Sequence, residues 1–130
     1  MPIQYSFDSD YGILEVTASG EISVLDRASF VRSVIDDETM PYVTPVLIDV
    51  SGLTIAPTAN DLNKMAYLAE MLAGRFKSRI AYYVVTPGFV TLYHLAALSV
   101  REDRAIVRAF TDREIAMTWL CSLIIEADSH

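Results

Sequence analysis

The chain has 130 residues, 52% hydrophobic and 21% charged, with 17 acidic against 10 basic residues for a net charge of −7, one cysteine and two histidines. A chain of this length buries about two thirds of its unfolded surface, so disorder and a two-domain arrangement are excluded and residues 1–130 read as a single domain. Cys121, His94 and His130 are too few for a disulfide or an all-protein zinc site, and the acidic balance lacks the clustered basic surface that nucleic-acid phosphates require.

Met1 to Asp10 contains no Lys or Arg and two aspartates, unlike a secretory leader, and a lone cysteine fits a reducing compartment, so a cytoplasmic location is expected. Ile3, Tyr5 and Phe7 alternate with polar neighbours, Ser9-Asp10-Tyr11-Gly12 supplies a turn, and Ile13 to Ala18 continues as the second strand of a hairpin, which Gly20 ends. From Ser23 the period becomes helical. Val24, Leu25, Ala28, Val31, Val34 and Ile35 define an inner face, Arg27 and Arg32 fall away from it, and Ser23 with Asp26 forms a capping box. Residues 1–40 hold eight acids and two bases, and Asp36-Asp37-Glu38 reads as a solvated turn after this helix.

Val46-Leu47-Ile48-Asp49-Val50 is an apolar run of the kind buried on both faces of a sheet. A second helix follows from Thr58, with Leu62, Met65, Ala66, Ala69, Leu72 and Ala73 inward and Gly74 as its stop. Arg79 to Val85 is the next strand, Thr86-Pro87-Gly88 a turn, Phe89 to Val100 a third helix and Ala105 to Phe110 the last strand. Thr111-Asp112-Arg113-Glu114 opens a final helix with a second capping box, placing Ile115, Trp119, Ser122 and Leu123 inside. The order predicts an α/β fold: a mixed sheet with an N-terminal antiparallel hairpin and mutually parallel later strands, packed with about four helices. The basic groups Arg75/Lys77/Arg79 and Arg101/Arg104/Arg108 read as solvated rims beside helix ends.

The stretch Leu47-Ile48-Asp49-Val50-Ser51-Gly52-Leu53, a buried strand ending in Asp-x-Ser-Gly, resembles the STAS domain family, which includes the anti-sigma-factor antagonists. The element order over the whole chain agrees with it. In the antagonists a following Asp-Ser-Ser-Gly carries the hydroxyl that a partner kinase phosphorylates. At those positions this chain reads Ala56-Pro57-Thr58-Ala59. The resemblance therefore implies Thr58 as the phosphoacceptor, while Ala56 and Ala59 depart from the motif and match the divergent SpoIIAA-like branch, which largely lacks the switch. Members of that branch are distantly similar to the lipid-binding Sec14 fold. Thr58 also reads as a helix N-cap with Asp61 three residues on, and the two roles are compatible.

Ligands of open α/β sheets sit outside the carboxyl ends of the strands, where Ser51, Gly52, Thr54, Thr86, Gly88 and Thr111 form a rim able to bind an anion. Turn chemistry explains the same residues. No base or nucleophile motif accompanies them, His94 reads as a packing residue, and Cys121 as a boundary residue, so no catalysis and no cofactor are expected. Ile80 to Val100 is twenty-one residues without Asp, Glu, Lys or Arg, and its helical part is apolar around most of its circumference. Phe89, Leu92, Tyr93 and Ala96, extended by Tyr67 and Met71, are the expected apolar interaction surface. The sequence thus reads as a non-catalytic, regulatory interaction module contacting a protein partner or a second copy as a homodimer. The alternative is a lipid-like apolar ligand or a membrane surface, with Arg75, Lys77, Arg101 and Arg104 meeting the head group; an enzyme acting on a small anion is the third reading.

Overall fold

The computed structural model describes residues 3–41, 43–54, 58–76, 78–98, 100 and 105–128; for Val24, for residues 59–62 and for residues 123–128 it describes the backbone alone. Strands β1 (Ile3–Asp8) and β2 (Ile13–Gly20) form the expected antiparallel hairpin, pairing Ile3 with Ala18 and Asp8 with Ile13. Asp8 holds the turn, its Oδ1 accepting from the amides of Asp10 and Tyr11 at 2.9 and 3.3 Å. Gly12, at φ 66°, supplies the left-handed residue that lets the chain reverse.

Helix α1 (Val24–Asp36), strand β3 (Val46–Leu53), helix α2 (Ala59–Arg75), strand β4 (Arg79–Tyr83), helix α3 (Pro87–Leu98), strand β5 (Ile106–Phe110) and helix α4 (Arg113–Asp128) follow. The sheet order is β1-β2-β3-β4-β5, with β2 to β5 mutually parallel. Each crossover therefore moves the same way along the sheet, and the right-handed rule then puts all three connecting helices on one face. The core shows this directly: Val31 and Val34 of α1, Met65, Ala69 and Leu72 of α2, and Phe89, Tyr93 and Ala96 of α3 share one buried cluster with Leu14, Val16, Ile48 and Tyr82. Among the described residues, α4 is the one helix covering the other face, where Ala116 and Leu120 meet Ile13, Leu47 and Ala81. Alternation along the strands explains the division, since neighbours such as Leu47 and Ile48 point to opposite faces.

Several element details differ from the sequence reading. Strand β2 runs on through Gly20, because it gains a partner: Ser19 pairs with Gly52 and Gly20 with Leu53 beyond a register shift. Strand β4 stops at Tyr83. Pro87 and Gly88 belong to α3, with the Thr86 carbonyl accepting from the amides of Phe89 and Val90; Pro87 stands at the first helical position, where its missing N–H costs nothing. Helix α2 passes Gly74 and ends at Arg75. The cap of α4 is Asp112, whose Oδ1 accepts from the amides of Glu114 and Ile115 at 2.9 and 3.2 Å. Leu25 (75% exposed), Ala28 and Ile115 face outward, because α1 docks through Phe30, Val31 and Val34, and α4 through Ala116 and Leu120.

Two of the basic groups read as rims fasten elements together. Arg75 Nη2 donates to the carbonyls of Asp37 and Met40, each at 2.9 Å, and Arg79 Nη1 donates to the Trp119 carbonyl and Ser122 Oγ at 2.7 and 2.6 Å. Arg79 and Arg108 both stack on the Trp119 ring, 5.1 and 5.4 Å from its centroid. Lys77, Arg101 and Arg104 lie outside the described residues.

Candidate functional site

A cavity of about 60 Å3 lies under the helix layer, between α1, α2 and α3 and the carboxyl-end halves of β2 and β3. Val50 and Leu53 of β3, Ala18 of β2 and Met65 of α2 give it apolar walls. Three polar side chains also line it: Arg27, Tyr82 and Tyr93. Arg27 stands four residues before Val31 and seven before Val34, so the helical period carries it onto the face that packs on the sheet. It is half-buried, and among the described residues no carboxylate pairs with it.

Tyr82 and Tyr93 pack with ring centroids 5.0 Å apart at 51°. Burial raises the pKa of the Tyr82 hydroxyl far above its ordinary value, the neighbouring Tyr93 adds to this, and the Arg27 charge opposes it. Burial likewise raises Tyr93, opposed by the charge of Arg27 and by its side-chain hydrogen bond. Both tyrosines are therefore neutral over the ordinary pH range, leaving one fixed positive charge and neutral hydroxyl groups in an apolar enclosure. The arrangement suits recognition of an anion and supplies no general base.

The rim residues expected from the sequence belong to β3 and its end, to the start of α3 and to the segment before α4. Ser51 and Gly52 lie inside β3, where the pairing steps from Thr17 opposite Asp49 to Ser19 opposite Gly52, a bulge in β3. Asp49 Oδ1 holds that bulge, accepting from the Ser51 amide at 2.9 Å and from its hydroxyl at 2.5 Å. Gly52 sits in a crowded position, since a Cβ there would lie 3.1 Å from Ser19 Cβ and 3.3 Å from the Ala18 carbonyl. Thr54 donates its amide to the Gly20 carbonyl at 3.1 Å. Thr86 begins α3, exposed Gly88 lies in its first turn with open space where a Cβ would be, and exposed Thr111 precedes the α4 cap. Thr58 is exposed immediately before α2. Ala56 and Pro57 lie outside the described residues, as do the side chains of Ala59 and Asp61.

On the opposite face, Arg113 bridges Asp49 of β3 and Glu15 of β2, with both contacts at 3.3 Å. The Asp-x-Ser-Gly segment is thus tied on one side to its own bulge and on the other to the start of α4. Among the described residues no three His, Cys, Asp or Glu side chains stand close enough to hold a metal ion.

The expected apolar surface is redistributed. Phe89, Tyr93 and Ala96 are core residues, because α3 packs on the sheet through them; Leu92 and Met71 are half-buried and Tyr67 is 67% exposed. The outward apolar residues of α3 are instead Leu95 and Leu98, 49% and 82% exposed, in line with Thr91 and His94. His94, read as a packing residue, is exposed. Arg27 and Tyr82 are polar cavity-lining side chains that the sequence reading missed. The available signal was a basic residue inside the spacing 27, 31, 34.

The fold these elements define is an α/β sandwich with three helices on one face and one on the other, and comparison with solved structures places it among the STAS/SpoIIAA-like folds. An uncharacterized protein of the DUF3478 family with a SpoIIAA-like fold, from Shewanella loihica PV-4, superposes with a TM-score of 0.59 at 20% identity over 92% of each chain. An anti-sigma-factor antagonist (STAS) domain protein from Planctomyces limnophilus superposes with a TM-score of 0.52 at 13% identity, covering 89% of this chain and 96% of its own. The sequence matches no family model and no curated protein. Among the described residues no helix is long and apolar enough to cross a membrane.

Proposed function

We propose that the protein is a non-catalytic, regulatory binding module of SpoIIAA-like fold, which contacts a partner protein or a second copy through the outer face of its three-helix layer. The observation that carries this reading is the set of large apolar side chains on that face: Tyr67 of α2 and Leu95 and Leu98 of α3. Each helix fills the core with its opposite side, and these residues stand outside the buried cluster. Covering a leucine side chain is worth about 1.5–3 kcal/mol, so a few such side chains are enough to anchor a contact. Thr58, exposed at the start of α2, is where a kinase-set phosphate would act on the same layer, its charge favoured by the helix N-terminus.

Light scattering after size exclusion tests the reading. The wild type is expected to self-associate with rising concentration or to retain a partner through purification, and Leu98→Glu to abolish either while leaving the unfolding midpoint unchanged. A monomer at every concentration, with no partner retained from extract, would reject it.

A further inference from the structure

We propose that the cavity beneath α1 and α2 is a binding site for a small, apolar monocarboxylate, its carboxylate held by Arg27 and the Tyr93 hydroxyl and its short tail enclosed by Ala18, Val50, Leu53 and Met65. This site faces the sheet and is separate from the outer helix surface, so the two proposals stand or fall independently.

Three observations lead to this ligand class. First, charge: half-buried Arg27, with no carboxylate partner among the described residues, lines a largely apolar cavity whose other polar side chains are the neutral Tyr82 and Tyr93. A fixed cation in such surroundings attracts one negative charge strongly, and the planar fork of arginine matches a carboxylate in shape. A dianion such as a phosphate monoester would leave its second charge uncompensated among apolar walls. Second, size: a cavity of about 60 Å3 has room for about four water-sized groups, less than the 150 Å3 that accepts benzene. A carboxylate with a tail of one or two carbons fills it, and a long acyl chain does not. Third, place: Ala18, Val50 and Leu53 in its lining lie in the carboxyl halves of β2 and β3, toward the end where parallel sheets present their ligand sites.

The probe is propanoate, a two-carbon tail on one carboxylate, added to the 130-residue protein and followed by calorimetry and by methyl chemical shifts. Binding in the millimolar range is expected, as suits so few atoms, with the largest shifts at Met65, Leu53 and Val50. The isosteric propanamide, which lacks the charge, is expected to bind at least about tenfold more weakly, and Arg27→Gln to weaken the acid by a similar factor. Should Arg27→Gln fail to fold, the acid and amide pair decides the question on wild-type protein. No shift at these methyls, or equal binding of acid and amide, would overturn the site. Tighter binding of dodecanoate than of the short acid would overturn the assignment to a small ligand.

Discussion

Ser23 and Asp26 show how two exposed side chains set the start of a helix. Ser23 Oγ accepts from the Asp26 amide and Asp26 Oδ2 accepts from the Ser23 amide, both at 3.0 Å, so two donors of the first turn are satisfied reciprocally. Ser23→Ala is expected to cost about 1 kcal/mol, read from the urea midpoint; an unchanged midpoint would mean that water caps α1 equally well. This box was legible because its chemistry is local and its residues lie three apart. Arg27, one position further, was not: its charge alone argued for solvent, and only the packing of α1 on Tyr82 and Tyr93 shows that it lines a cavity. The same limit applies to Phe89, Tyr93 and Ala96, since apolar character predicts burial but does not say whether the cover is the core or a partner.

At the scale of elements, order and type were readable throughout because each apolar run is bounded by Gly, Pro or a capping residue. The bounds moved wherever pairing or capping depends on a distant segment. Strand β2 extends to Gly20 only because β3 bulges at Val50 and Ser51 to keep it in register. Helix α4 illustrates the energetic side of such long-range dependence. Among the described residues it is the one helix covering its face of the sheet, and Leu47, 1% exposed, lies beneath it with Ala116 and Leu120. Leu47→Ala is therefore expected to destabilise by about 2–5 kcal/mol, since no second helix can shift in to close the hole. Thermal unfolding measures this, and a loss below about 1 kcal/mol would show that α4 does not pack as described.

For the whole molecule, the titrating groups define a pH window. Backbone and side-chain hydrogen bonds from Ser23 lower the Asp26 pKa, and those from Thr39, with Tyr5 and Arg75 helping, lower that of Asp37. Folded values below the unfolded one mean stability that is present above about pH 4 and lost as these carboxylates protonate on further acidification. Tyr82 and Tyr93 shift the opposite way: their raised values give stability in full below about pH 10 and lost above it, because the unfolded chain sheds those protons first. Urea midpoints are expected to show no pH dependence from these groups between about pH 5 and 9 and to fall above about pH 10, with a shallower alkaline fall in Tyr82→Phe. An alkaline limb identical in Tyr82→Phe would remove Tyr82 from the account. The strand order has a further consequence for how the molecule is assembled. Because β1 to β5 lie side by side in the order of the sequence, each strand emerging during synthesis finds its neighbour already in place, and sheet growth is vectorial. The face under α4 stays open until the last helix has been made, so the nascent chain exposes Ile13, Leu47 and Ala81 longest, and that face is where a chaperone would bind during translation.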